Sequence, residues 1–517
     1  MTNYFERGAK GTFVVALFTL LAYLAGYFTR LVLARTLSPD DFGLFYSVFA
    51  LFMFICVFTD LGYGSSLVKF IPDLLSKNKK KSIIKAIFNV FWVTTGLTLI
   101  FCVLLFLASG FLSTNYFKVS SAKELIIVFV FILLLNNILN LMQSILQGLQ
   151  DMFSYGFFYF MSKAMFLVFC VALILLGMRG SIMPGIAYLL GVVLVIAIFA
   201  YPIYRRVRNI HPVVLGRDKL LLAEMTGFAL PNMFTVLAGT VIGYINTLIL
   251  TYFVPLSVVG IYNAILPTVI MLNYFGVTVA AVFFPMAAEL WAKKDHARLN
   301  QALAMIYRYS LVLILPFVIA TLFFSETILR VLFGETFVMG AMAMRILSIG
   351  VIFLSLAQVN YSLLNGIGRP RDITKITVAA AIFNAVGNIL VIPKFGIEGS
   401  AVVTTLSYLM MLVWSYILTR KNVGFRFEKM LRVLLSSLVF VAVIYLLKRS
   451  LSLSGILAST SFSAYATYLS SGAVLVIGLV VYAATLFILR VITLDEVKLF
   501  IGIGGLLGKR SASFLRK

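Results

Sequence analysis

Four amide side chains recur at helical spacing within one apolar segment of the chain. They are Asn136, Asn140, Gln143 and Gln147, and Asn137 lies beside them. Steps of four, three and four residues place the four amides on one stripe of a helix. In lipid such a stripe must face protein or water. Two interpretations therefore stay open: hydrogen bonds between neighbouring helices, or the polar wall of a binding cavity.

A basic residue, Arg30, lies about four residues from the end of the first apolar segment. Its planar guanidinium can donate several hydrogen bonds to phosphate oxygens, so it is a candidate substrate-binding residue. The alternative is that the side chain snorkels to the nearby lipid headgroups.

Two further charges lie deeper in apolar segments, where charge is costly and needs a reason. Asp60 is the only acid that we place well inside a segment, and Lys163 lies at similar depth. They form either a structural ion pair or part of a site for a coupling ion, H⁺ or Na⁺. We expect Arg308, near the end of another segment, to snorkel.

The composition indicates which elements must position these residues. Apolar residues make up 62% of the 517 and charged residues only 12%. This excludes a soluble fold, which usually carries about 25% charged residues, and it also excludes disorder. Apolar runs of about 20 residues recur, which predicts an all-α polytopic membrane protein rather than a barrel.

We predict about fourteen transmembrane helices. Their approximate limits are 11–34, 42–68, 86–110, 124–147, 157–177, 184–204, 224–251, 259–287, 303–325, 342–366, 373–392, 398–419, 431–447 and 465–489. With the N-terminus inside, 30 basic residues lie in inner segments and 10 in outer ones. Because basic residues accumulate in cytoplasmic loops, both termini are predicted to be cytoplasmic and the net charge of +24 reflects topology.

An internal repeat relates the two halves of the chain. At an offset of 217 residues, the segment 26–33 matches 243–250 and Gly43 falls on Gly260, while Arg30 falls on Thr247. At an offset of 218, residues 146–149 match 364–367, and Gln358 and Asn365 occupy positions related to the amide stripe. Six helices per copy is an even number, so both copies have the same orientation.

The repeat predicts two six-helix lobes followed by two extra helices. The domain limits are 1–204 for the N-terminal lobe, 205–223 for a basic cytoplasmic linker, 224–420 for the C-terminal lobe, and 421–517 for the last two helices and a basic tail.

Signatures of catalysis and of cofactor binding are absent from the sequence. It contains no Ser/His/Asp set, no H-E-x-x-H and no nucleotide loop, and its three cysteines lie singly in apolar runs. We therefore predict no enzyme activity, no metal and no cofactor.

Four motifs resemble those of the polysaccharide-biosynthesis (Wzx-type) flippases, in a superfamily that also holds drug/cation antiporters and peptidoglycan-precursor flippases. They are residues 35–45 (RTLSPDDFGLF), 60–62 with 69–72 (DLG and KFIP), 366–370 (GIGRP) and 388–401 (NILVIPKFGIEGSA). The resemblance covers roughly residues 5–420.

The resemblance implies a two-lobe transporter with a central cavity in the cytoplasmic membrane. It would move a polyprenyl-diphosphate-linked oligosaccharide by alternating access, with membrane lipids and glycan-assembly proteins as partners. Arg30 would then grip the diphosphate, and the amides, including Gln358 and Asn365, would meet sugar hydroxyls. Two other functions remain: an ion-coupled multidrug/cation antiporter of the same superfamily, and a membrane-embedded glycan ligase or polymerase.

Overall fold

Every regular element that the computed structural model describes is helical. The described residues are 2–210, 216, 218–421, 423–424, 430–453 and 463–492. The α-helices in them are α1 Thr2–Thr36, α2 Pro39–Asp60, α3 Tyr63–Ser76, α4 Lys80–Phe111, α5 Ser121–Gly148, α6 Met152–Leu175, α7 Ile182–Ile210, α8 Lys219–Phe253, α9 Leu256–Met271, α10 Asn273–Ala292, α11 His296–Leu332, α12 Ala341–Gly366, α13 Pro370–Arg420, α14 Met430–Leu453 and α15 Ser463–Ile488.

The helices are long and apolar enough to cross a bilayer. Among the described residues, 12 helices meet that requirement, and the bent pair Leu256–Met271 with Gly276–Ala292 brings the number of candidate spans to 13. The predicted all-α, polytopic class is confirmed. Helices suit this composition because each one satisfies its own backbone hydrogen bonds where no water is present.

The longest helix, α13, accounts for the remaining predicted span. Its 51 residues would measure about 76 Å as one straight helix, more than twice the hydrocarbon thickness of about 30 Å. The backbone leaves helical geometry at Gly396, with φ 54° and ψ −135°. Gly396 separates the predicted spans 373–392 and 398–419, and a division there raises the number of spans to the predicted fourteen.

One predicted span is interrupted. The sequence suggests one helix over 42–68, whereas α2 ends at Asp60 and α3 begins at Tyr63. Leu61 and Gly62 both adopt left-handed backbone geometry, with φ 46° and 80°. A Cβ on Gly62 would lie 2.5 Å from the carbonyl oxygen of Ala229, so only glycine fits at this break.

Local sequence determines where several helices begin. Ser38 accepts a hydrogen bond from the backbone N–H of Asp41 at the start of α2, which Pro39 opens. Asp151 and Asp218 cap α6 and α8 in the same way. These caps satisfy N–H groups that would otherwise have no partner in the first turn.

The chain forms two compact units. The first contains Met1–Pro267, Leu329–Ala343 and Thr377–Ser407, and the second contains Thr268–Ile328, Met344–Ile376 and Tyr408–Lys517. One apolar core of the first unit is formed by α3, α4 and α8. In the second unit, α14 and α15 bury apolar residues against α11, so these predicted extra helices belong to a packed core. The lobe limits proposed from the repeat stay a prediction.

Helix ends follow the repeat offsets. α1 ends at Thr36 and α8 ends at Phe253, while α2 begins at Pro39 and α9 begins at Leu256. Both pairs are separated by 217 residues. The ends of α5 and α12, and the beginnings of α6 and α13, are separated by 218. The two copies therefore interrupt their helices at equivalent residues.

Candidate functional site

The repeat-related glycines Gly43 and Gly260 meet where α2 crosses α9. A Cβ on Gly43 would lie 1.9 Å from the carbonyl oxygen of Leu256, and one on Gly260 would lie 2.6 Å from that of Pro39. Pro39 and Leu256 are themselves equivalent in the repeat. The contact is thus reciprocal, as a two-fold relation between the copies requires, and it leaves no room for a side chain on either helix.

Charged residues of the 35–45 motif hold helix ends beside this crossing. Asp40 Oδ1 accepts a hydrogen bond of 2.9 Å from the backbone N–H of Ser257, in the first turn of α9. Arg35 donates to the carbonyls of Arg330, Val331 and Leu332 at the end of α11. A carboxylate at a helix N-terminus and a cation at a C-terminus both match the helix dipole.

The side chain of Arg30 contacts two other helices of the first unit. Its guanidinium lies 4.0 Å from the centre of the Tyr46 ring and donates to the backbone carbonyl of Asn263. That carbonyl is free to accept because Pro267, four residues on, has no N–H to give it. These contacts engage the guanidinium within the protein, and the role of Arg30 as a substrate-binding residue stays a prediction.

The second repeat reproduces this arrangement without the charge. Thr247, the counterpart of Arg30, donates a 3.1 Å hydrogen bond to the side chain of Asn263, which is the counterpart of Tyr46. Arg30 and its counterpart Thr247 therefore both contact Asn263. The guanidinium has five N–H groups, and Nη1 uses one of them to donate to a protein acceptor. No carboxylate in the described ranges pairs with Arg30.

Asp60 has a structural role at the break between α2 and α3, where its carboxylate binds backbone N–H groups. Its two carboxylate oxygens each accept a 3.1 Å hydrogen bond, one from the N–H of Gly62 and one from the N–H of Gly64. It therefore caps the start of α3. No ion pair joins Asp60 to Lys163 in the structure, so that interpretation is wrong.

The amide stripe of α5 divides into two parts. Asn136 donates to Cys56 Sγ at 3.5 Å, and its neighbour Asn137 donates to Thr95 at 3.0 Å, so both join helices together. The half-buried Asn140, Gln143 and Gln147 have no hydrogen-bond partner among the described residues.

The counterparts of this stripe lie on α12, in the second unit. The half-buried Gln358 and the exposed Asn365 likewise have no side-chain partner within the described ranges. These five amides remain available to water or to a ligand.

Arg308 differs from expectation. Its side chain is only 6% exposed and lies 4.9 Å from the centre of the Tyr309 ring. Snorkelling would leave the guanidinium in water, so that prediction is wrong, and Arg308 is a buried cation of the second unit.

A fully buried polar network in the first unit was not predicted. Asn246 of α8 donates to Tyr262 at 3.0 Å and to Thr404 at 2.8 Å, and it accepts from Asn388 at 2.9 Å. Asn384 joins the same network. The signal that could have revealed it is the pair Asn384 and Asn388, spaced four residues apart within an apolar run of the sequence.

The network explains why the 388–401 motif begins with asparagine. Two of its buried oxygens, Asn388 Oδ1 and Ser400 Oγ, lack a geometrically adequate partner. Neutral amide and hydroxyl oxygens of this kind can bind a hard cation or a water molecule. No group of three or more His, Cys, Asp or Glu residues that could hold a metal occurs among the described residues.

Comparisons with known proteins agree with this architecture. The sequence model of the family described as polysaccharide biosynthesis protein matches residues 9–291, which is more than half of the chain. The chain belongs to this family. A second family model, MatE, matches residues 231–390. Together they place the chain among the flippases and transporters of the MOP superfamily, as the motifs suggested.

Individual relatives extend the comparison. An uncharacterized membrane protein of Methanocaldococcus jannaschii is 30% identical over 429 residues, which cover 80% of this chain and 84% of that one. The probable low-salt glycan biosynthesis flippase Agl15 of Haloferax volcanii is 24% identical over 211 residues, covering 40% and 45% of the two chains. The solved lipid II flippase MurJ, in its inward closed conformation, has a TM-score of 0.72 at 14% identity and covers 92% of this chain and 99% of its own. That likeness concerns the fold.

Proposed function

We propose that this transporter translocates a polyprenyl-diphosphate-linked oligosaccharide across the cytoplasmic membrane by alternating access, for polysaccharide or glycan biosynthesis. In this proposal both termini are cytoplasmic. The family supports a role in polysaccharide synthesis, and the relative Agl15 carries a glycan flippase name.

The observation that supports the proposal is the set of contacts that the Arg30 guanidinium makes. A guanidinium inside a membrane helix normally needs a counter-ion or water, because burying an isolated charge costs several kcal/mol. Here it is held by the Tyr46 ring and by one carbonyl, and several of its N–H groups are left to bind. Since a guanidinium matches phosphate oxygens in geometry and charge, a diphosphate is the ligand that this arrangement fits.

The sugar portion would be bound by the amides that have no protein partner. In the first unit these are Asn140, Gln143 and Gln147. In the second unit, Gln358 and Asn365 are separate candidates for the same role. Each amide offers both donors and an acceptor to hydroxyl groups, so the set suits a sugar without selecting one glycan. Asn136 supports this wall through Cys56 instead of contacting the substrate.

Graded substitutions of Arg30 test the proposal. Arg30→Lys keeps the charge without the fork, Arg30→Gln keeps some hydrogen bonding, and Arg30→Ala removes both. Export of lipid-linked glycan should fall from Arg to Lys and further to Gln or Ala, at equal membrane abundance. Losing one charge-assisted hydrogen bond costs about 1.5–3 kcal/mol, or roughly a tenfold to 150-fold reduction in affinity. Near-normal export by Arg30→Ala would remove Arg30 from the site.

The second candidate function is an ion-coupled multidrug/cation antiporter, which the MatE match over 231–390 favours. Such an antiporter would need a membrane acid that exchanges a proton or Na⁺, and Asp60 is the candidate that we placed inside a span. Asp60→Asn separates the two functions. If Asp60 only caps α3, the amide oxygen still accepts a hydrogen bond and transport continues. Loss of ion-dependent transport, with normal abundance, would favour the antiporter.

A further inference from the structure

A cavity of about 470 Å³ lies at one end of the first unit, apart from the amides and from Arg30. It forms where the start of α2 meets the loop after α4 and the link between α8 and α9. Most of the described residues that line it are apolar, and the polar ones include the carboxylates of Asp40 and Asp41 and the ammonium of Lys118. This size and this mixture are typical of cavities that bind small molecules.

The opposite charges around the cavity do not pair with each other. Asp40 Oδ1 accepts from the N–H of Ser257, whereas Asp40 Oδ2 has no hydrogen-bond partner among the described residues. The Lys118 ammonium donates to the carbonyl of Tyr252 at 3.2 Å, which leaves two of its three N–H groups to donate elsewhere. No ion pair joins Lys118 to a carboxylate in the described part of the chain. The cavity therefore presents a free acceptor and free donors together.

Two Tyr-Phe dipeptides form an aromatic wall of the cavity. They are Tyr116-Phe117, after α4, and Tyr252-Phe253, at the end of α8. The two tyrosine rings are nearly parallel, with centroids 6.3 Å apart, and each phenylalanine ring is perpendicular to the tyrosine beside it. The Tyr116 hydroxyl donates to the Leu248 carbonyl at 2.5 Å, which fixes this arrangement.

Both phenylalanine rings line the cavity, although their exposure differs. Phe117 is 2% exposed and Phe253 is 43% exposed. Aromatic rings are common at the ends of membrane spans, where they form a belt at the lipid interface. A ring that borders a cavity together with carboxylates and an ammonium can also contact a ligand, which a belt residue does not explain.

The combined lining fits a sugar. Each hydroxyl group of a sugar both donates and accepts, so it can bind the carboxylate of Asp40 and the ammonium of Lys118. The C–H face of the ring can pack against Phe117 and Phe253. An anion would be repelled by the two carboxylates, and a zwitterion would satisfy both charges without a flat apolar face for the aromatic rings.

We infer that this cavity is a carbohydrate-binding site, which holds sugar residues of the glycan when they have reached the outer face of the membrane. The inference rests on the proposed function and on its topology, in which the start of α2 and the loop after α4 are outside. It adds a sugar contact at the face where the glycan leaves, separate from the amides of α5.

The test measures protection of a thiol inside the cavity. Val119→Cys places a thiol on the lining at a position that is 37% exposed, and Ser120→Cys places one on the neighbouring exposed residue, which is not part of the lining. The full-length protein is held in lipid nanodiscs, so that both faces are accessible to an impermeant maleimide. The probe is the oligosaccharide that mild acid releases from the lipid-linked pool of the cell that produces this chain.

Three substitutions are combined with Val119→Cys. Asp40→Asn removes the charge and keeps an oxygen that can accept from Ser257, and Lys118→Gln removes the ammonium. Lys123→Gln is the matched control, because Lys123 is an exposed lysine of the adjoining helix α5 that does not line the cavity. The glycan concentration that gives half-maximal protection is compared between variants.

The glycan should slow the modification of Val119→Cys and leave that of Ser120→Cys unchanged. Half-maximal protection should require about tenfold more glycan in Asp40→Asn and in Lys118→Gln, and an unchanged concentration in Lys123→Gln. Equal protection of both thiols, or the same half-maximal concentration in all three variants, would overturn the inference.

A transport assay on the same protein separates this inference from the proposed function. If the wild type translocates the lipid-linked glycan and about 10 mM of the released glycan gives no protection, the carbohydrate site is wrong and the proposed function stands, since that concentration fills most of a site with a Kd of about 1 mM. If the wild type does not translocate the lipid-linked glycan, the proposed function itself is wrong.

Discussion

The reciprocal contact between Gly43 and Gly260 can be tested by adding one methyl group. In Gly43→Ala, the new Cβ would lie 1.9 Å from the Leu256 carbonyl oxygen, which is a backbone atom and cannot turn aside as a flexible side chain could. Cβ atoms essentially never approach closer than 3.0 Å, so α2 and α9 must separate by more than about 1 Å. Overpacking of this kind typically costs about 1–3 kcal/mol, which corresponds to a shift of roughly fivefold to 150-fold away from the close arrangement.

A disulfide assay measures how often the two helices meet. Asp40→Cys and Ser257→Cys place two thiols where a carboxylate oxygen and a backbone nitrogen are now 2.9 Å apart. A disulfide between them requires the two Cα atoms to come within about 7 Å of each other, so the oxidation rate reports how closely the helix ends approach. Adding Gly43→Ala should slow the oxidation of this pair by about tenfold.

Gly26 supplies the matched control. It is a helical glycine of the same repeat, and a Cβ placed on it would meet nothing within 4 Å, as is also true of its counterpart Gly243. Gly26→Ala should leave the oxidation rate unchanged and stabilise α1 slightly. If Gly43→Ala oxidises as fast as the unsubstituted pair, the helices are not in contact at this point and the reasoning fails.

Two further predictions concern stability and topology. Asn246→Ala should lower the free energy of unfolding by about 2 kcal/mol, since three buried hydrogen bonds are lost at about 0.6 kcal/mol each in a membrane protein. Its melting temperature should fall below that of Asn365→Ala, whose exposed side chain has no protein partner in the described ranges, and equal values would contradict the network's contribution. The orientation in the membrane is tested with thiols at Asn115 and Lys80, two exposed residues at opposite ends of one candidate span. A thiol at Asn115 should react with an impermeant reagent added outside, and one at Lys80 should not. The reverse labelling pattern would contradict the predicted topology.

The polar residues show where sequence reasoning succeeds and where it stops. The amide stripe of α5 could be predicted because helical spacing is a local property. Its division, with Asn136 bonded to Cys56 and Gln143 left open, depends on which helix lies opposite each position. Asp60 illustrates the same limit, because its role as a cap follows from a helix break that the apolar run 42–68 conceals.

The sequence by itself determined the helical membrane class, the approximate spans and the repeat offset. These follow from local sums: apolar content over about 20 residues specifies a span, and prolines, glycines and capping residues mark its ends. Only the tertiary structure decided what each buried charge contacts. Arg30 and Asn263 are separated by 233 residues, and their contact requires both the crossing of α2 with α9 and the carbonyl that Pro267 frees. Such partnerships depend on helix packing, and no window along the chain contains them.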